Sequence, residues 1–169
     1  MNVHAALKSQ YHAAMAMLKQ AIEECPKDLW TGGGYPIAFW RVAYHTLFFT
    51  HLYLQPNERA FHPWEHHRDE YQFLGPLPWP PHRQPKIADP YAKAQILDYW
   101  RFCDAMIDAG VDRLDLDAPE CGFPWYRLPK LDHQINNIRH VQHHAALLAG
   151  RLRQAKGIDV QWVGGRRRR

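Results

Sequence analysis

Three histidines stand within five positions of the segment NIRHVQHHAALLAGRL: His140, His143 and His144. Residues four apart on an α-helix lie one turn above each other. His140 and His144 therefore point the same way, while His143 is turned about 100° off. Two imidazoles one turn apart make half of a transition-metal site, the arrangement that HExxH helices also use. Here Val141, Gln142 and His143 fill the interval, so the glutamate of that motif is absent. A cation needs at least one more ligand from another segment. His45, set deep in the most apolar stretch, PIAFWRVAYHTLFFTHLYL, is the best donor, whereas His51 lies six positions on and faces elsewhere. Three neutral imidazoles leave a fourth position open, which is the pattern of catalytic rather than structural zinc. Imidazole suits zinc, nickel and iron alike, with zinc or nickel the expected metals and iron the third option. Arg41, Tyr44 and Asn137 are the candidates to line the pocket or orient a ligand, Asn137 being about one turn before His140. Trp64, Trp79 and Trp125 are candidate walls.

A second cluster, His62, His66, His67, Asp69 and Glu70 in HPWEHHRDEY, is surrounded by charge and has few apolar neighbours. It reads as a solvated short helix rather than a site. Cys25, Cys103 and Cys121 are odd in number, widely spaced and without a CxxC pair, which argues against a disulfide framework or a cysteine-based zinc site.

The elements that must position these residues are helical. Leu7, Tyr11, Ala14, Met15, Leu18 and Ile22 recur at three- and four-residue steps and predict a helix over 3–24, ended by Pro26. TGGG at 31–34 predicts a turn. A second helix over 36–54 is apolar on nearly every side and so central to the domain. Residues 55–90 hold eight of the 13 prolines and read as a long irregular crossover and candidate lid, with a short helix in PWEHHRDEYQF. A third helix runs from the Asp89 cap to Arg113, and a fourth over 130–156, stopped at Gly157. On that fourth helix Leu131, Ile135, Ile138, Val141, Ala145, Leu148 and Leu152 form the arc expected to face the core. Arg139, His143 and Gln154 lie opposite, and His140 and His144 share a flank with Asn137 and Leu147. The expected fold is an all-α four-helix bundle, one domain over 1–157, with a long crossover between helices two and three and a tail over 158–169.

Composition narrows the function classes. With 46% hydrophobic and 13% aromatic residues, the chain does not read as disordered. No apolar run reaches the ~18 residues of a membrane span. MNVHAALKSQYH lacks the pattern of a secretory signal, so a soluble cytoplasmic protein is the expectation. The net charge of +4 comes from Arg166 to Arg169: without them 17 basic residues balance 17 acidic ones. No basic stripe accompanies that tail, so it reads as a frayed end, and nucleic acid is not the expected partner.

His45 in the second helix, followed by HxxHH at His140 to His144 in the fourth, resembles the DinB-like superfamily. That group includes YfiT-like metal-dependent hydrolases and bacterial thiol S-transferases. The resemblance spans most of 1–156, and its three-histidine metal site falls on His45, His140 and His144. It implies a metal-dependent enzyme acting on a small molecule, either a hydrolase or a transferase that uses a low-molecular-weight thiol, and it implies a homodimer. After His144 the chain has Ala145, Ala146 and Leu147 where many members have Arg-Gly-Gln. That departure supports a second expectation, a non-catalytic metal-binding or stress-associated dimer.

Overall fold

The computed structural model describes residues 2–166. It is all-helical, and no strand occurs among the described residues. The first helix, α1, spans Val3–Glu24, and the Asn2 side chain caps it by accepting from the Ala5 amide at 2.9 Å. Its expected inward positions, Leu7, Tyr11, Ala14, Met15, Leu18 and Ile22, are all buried. Pro26 then starts a short helix, α2 (Lys27–Thr31), inside the link that the sequence marks only as a turn. Helix α3 spans Phe39–Tyr53 and is buried on most sides.

The 54–92 segment departs from expectation. PWEHHRDEYQF forms turns rather than a helix, and the one short helical piece is a 3-10 turn at Glu58–Ala60. Nor is the segment merely solvated. Trp64 stacks on Tyr99 with ring centroids 4.5 Å apart, and Tyr71 and Tyr91 are buried against Trp40. Arg68 donates to the Asp89 carbonyl at 2.7 Å, and Arg83 pairs with Glu70 across the loop. These aromatic anchors hold backbone that its prolines keep out of a helix.

Helix α4 (Lys93–Asp112) starts later than Asp89, because the Gln95 side chain accepts from the Ala92 amide at 2.9 Å and so fixes the start there. Helix α5 spans Lys130–Lys156 and ends at Gly157, whose φ of 68° gives the left-handed C-terminal cap. Helices α1 and α3 each pack against both α4 and α5. The core between them is rich in aromatic rings, with Tyr11, Tyr44, Tyr91 and Tyr99 fully buried. No described helix is long and apolar enough to cross a membrane.

Two further expectations are corrected. Ile135 is 45% exposed, and the buried face of α5 instead carries Lys130, His133, Gln134, Asn137, His144 and Arg151 beside Val141, Ala145, Leu148 and Leu152. Of the GGRRRR end expected to fray, the described part is held: Gln10 donates to the Gly164 carbonyl and Arg166 pairs with Asp108, while upstream Gln161 exchanges hydrogen bonds with Gln20. Arg167 to Arg169 lie outside the described residues.

Candidate metal centre

Helices α3 and α5 bring His45, His140 and His144 together. One ligand atom from each imidazole lies within 4.8 Å of those of the other two, and the group could hold a metal ion. The ring centroids form a near-regular triangle: 5.0 Å for His45–His140, 4.8 Å for His45–His144 and 4.6 Å for His140–His144. His143 is exposed, as its angular offset requires, and His51 is buried elsewhere with its Nδ1 3.1 Å from the Tyr99 hydroxyl.

The protons on this cluster can be assigned in part. His45 Nδ1 is 2.6 Å from the Gln72 carbonyl, which can only accept, so Nδ1 carries the hydrogen and Nε2 keeps a lone pair. That lone pair faces His140 Nε2 at 3.0 Å. If His140 Nε2 is protonated, it donates to His45 and leaves its own Nδ1 bare; if it is not, two lone pairs confront each other. In either tautomer His140 Nδ1 is a buried nitrogen with no partner among the described residues, and His144 Nδ1 is another. A cation between the rings removes the lone-pair conflict. Nitrogens bound tetrahedrally at 2.0–2.1 Å stand about 3.3 Å apart, close to the 3.0 Å found. One pair thus stands near the spacing of a bound metal and all three ligand atoms lie within 4.8 Å of one another, so the donor set could hold a divalent metal.

Burial keeps the imidazoles in the ligating form. It is the largest influence on all three, pushing His45 down to about 4 and His140 and His144 to about 3. Arg41 acts in the same direction on His45, and His45 on the other two. Neutral imidazole is what a metal requires.

The neighbours expected from sequence divide. Arg41, one turn before His45, donates to the Phe73 carbonyl at 2.7 Å, and its Nε is buried without a partner. Asn137 is fully buried, donates to the Tyr11 hydroxyl at 2.9 Å, and leaves its Oδ1 unpartnered. The Tyr44 hydroxyl is engaged elsewhere, 2.6 Å from His67 Nδ1. Trp79 and Trp125 line a groove of about 680 Å³ beside the cluster, whereas Trp64 is committed to the core. None of the three histidines lines that groove, which reaches the cluster through Phe49 and Gln72; nor do they line a larger hollow of about 1100 Å³ between α1 and residues 163–166.

Sequence reasoning missed Gln72, Gln134 and His133. Gln72 acts on His45 through its carbonyl, which no side-chain pattern reveals. Gln134 accepts from Tyr11 at 2.8 Å and donates to the Tyr53 carbonyl at 2.9 Å, tying α1, α3 and α5 together next to the site. The available signal was the three- and four-residue spacing of His133, Gln134, Asn137, Val141 and His144, a stripe hidden by its polarity.

No family model, curated protein or solved structure matches this chain. What fold and site define is a class: an all-helical protein with a half-buried three-histidine group that could hold a metal ion.

Proposed function

We propose that this chain is a metal-dependent enzyme of the DinB/YfiT-like kind, a four-helix bundle with a long crossover after its second long helix, acting on a small molecule as a hydrolase or thiol S-transferase. The observation that carries the reading is the convergence of three neutral imidazoles, of which His140 and His144 each bury an Nδ1 with no partner among the described residues. Zinc or nickel is the expected metal, with iron third, and a low-molecular-weight thiol is the candidate co-substrate. His45, His140 and His144 would hold the cation, which supplies Lewis acidity toward a substrate oxygen or sulfur. The Gln72 carbonyl fixes the tautomer and ring plane of His45. Phe49, packed 4.8 Å from the His45 ring and 5.9 Å from that of His140, limits water at this edge. Arg41, one turn before His45 and bonded to the Phe73 carbonyl, sets a positive charge that acts on the His45 ring.

A second reading, a non-catalytic metal-binding or stress-associated dimer, is favoured by one observation. No carboxylate hydrogen-bonds any of the three imidazoles among the described residues, so no general base is in direct contact with them.

Elemental analysis of untagged protein tests the proposal, with the combined His45→Ala, His140→Ala, His144→Ala variant alongside. About one zinc, nickel or iron per chain, lost in the variant, is the expected result. No metal bound, and none taken up on incubation, overturns it. An untouched metal site with no turnover on thiol and ester panels selects the second reading.

A further inference from the structure

The groove beside the histidine cluster has a definite chemical character. Phe49, Tyr53, Phe73, Trp79 and Trp125 give it aromatic walls, and its volume of about 680 Å³ suits a small organic molecule. It adjoins the cluster directly: Phe49 packs on His45 and His140, and the Gln72 backbone holds His45. Two polar features stand out in the lining. Among the described residues, Gln72 Oε1 is a buried acceptor with no donor, the exposed Glu58 carboxylate is the one charged group of the lining, and no lysine, arginine or histidine is present there.

We propose that this groove binds an amphipathic amine, an aromatic or alkyl body bearing a protonated nitrogen, and delivers it to the histidine cluster. The delivery clause rests on the metal-enzyme reading; the binding clause does not. Aromatic rings present a negative face to solvent, so walls of Tyr, Phe and Trp attract a cation as well as an apolar surface. Glu58 adds a negative charge at the exposed edge of the lining. A carboxylate in the same place would meet the ring faces and Glu58 without a cation in the lining to offset them. The aromatic body is accommodated by Trp79 and Trp125, each 50% exposed and so open to a ligand.

Calorimetric titration with 3-phenylpropylamine, 3-phenylpropanol and 3-phenylpropionate at neutral pH tests this, since the three probes share a body and differ in charge. The amine should bind about fivefold or more tightly than the acid. Glu58→Gln should narrow that ratio, and the combined Trp79→Ala, Trp125→Ala variant should abolish amine binding; both changes lie at exposed positions. Equal or tighter binding of the acid, no saturable binding of any probe, or amine binding indifferent to the tryptophan variant overturns the proposal. The same titration on the triple-histidine variant separates the two readings. Amine preference persisting there, with no metal in the wild type, removes the metal reading and leaves the groove assignment standing.

Discussion

His133 provides a test of how α5 is held, through the pH dependence of stability. The residue is fully buried, its ring lies 4.7 Å from Tyr53, 5.1 Å from Phe123 and 5.1 Å from Tyr126, and its Nε2 has no partner. Burial, reinforced by Lys130, depresses its pKa from 6.5 to about 4. A histidine depressed in the fold favours the native state above its unfolded pKa, and that contribution is lost as pH falls from 6.5 toward 4. With those two values the loss is negligible at pH 7.5 and about 2 kcal/mol at pH 5. In a chain of this length that corresponds to roughly 4–8 °C in Tm. His133→Phe removes the titrating group and leaves an aromatic ring among aromatic rings. Thermal unfolding of both proteins from pH 7.5 to 5 should show the wild type losing this amount relative to the variant, whatever fixed offset separates them at pH 7.5. A difference in Tm that stays constant across the range refutes the assignment of His133 as a neutral buried ring.

The opposite sign is expected at His12, whose Nδ1 and Nε2 lie 2.8 and 3.1 Å from Asp104 and Asp108; the Asp104 bond chiefly raises its pKa. His12→Gln should cost about 1 kcal/mol below pH 6.5, and the deficit in denaturant midpoint should shrink as pH rises through the raised value. Gly122 has φ of 86°, and a Cβ there would stand 2.5 Å from the Pro56 carbonyl oxygen, so Gly122→Ala should lose about 2 kcal/mol or more in urea unfolding. Tyr11→Phe leaves Gln134 and Asn137 without their shared hydroxyl and should cost roughly 1–3 kcal/mol by the same assay.

The C-terminal ends of α1 and α5 were legible because local chemistry sets them: the Pro26 stop and the left-handed Gly157. The histidine pair one turn apart was legible for the same reason, since helical geometry alone aligns it. The inward face of α5 was not. Ile135 looks like a core residue and is exposed, while Gln134 looks like a surface residue and is fully buried. Gln134, Lys130 and Arg151 are stable inside because each donates to a backbone carbonyl: that of Tyr53, of Pro56 and Cys121, and of Ile37 respectively. Carbonyls at the ends of other elements carry no sequence signature, so hydropathy assigns those side chains to solvent. The same reasoning explains PWEHHRDEYQF, where helical spacing was outweighed by Trp64 and Tyr71 reaching into an aromatic core that only the fold assembles.

Those backbone-directed donors also account for the meeting of His45 with His140 and His144. Arg151 grips the Ile37 carbonyl just before α3 begins, Gln134 grips Tyr53 at its end, and Lys130 grips Pro56 beyond it. Residues later in α5 thus face residues earlier in α3, and the antiparallel register is pinned on both sides of the histidines. Within that register His45 falls opposite the interval from His140 to His144, which is where the rings converge. A slip of one helical turn would displace His45 by about 5.4 Å and break every one of these anchors together. The packing of the two helices therefore fixes where the three rings meet, the condition under which a binding site costs little to organise.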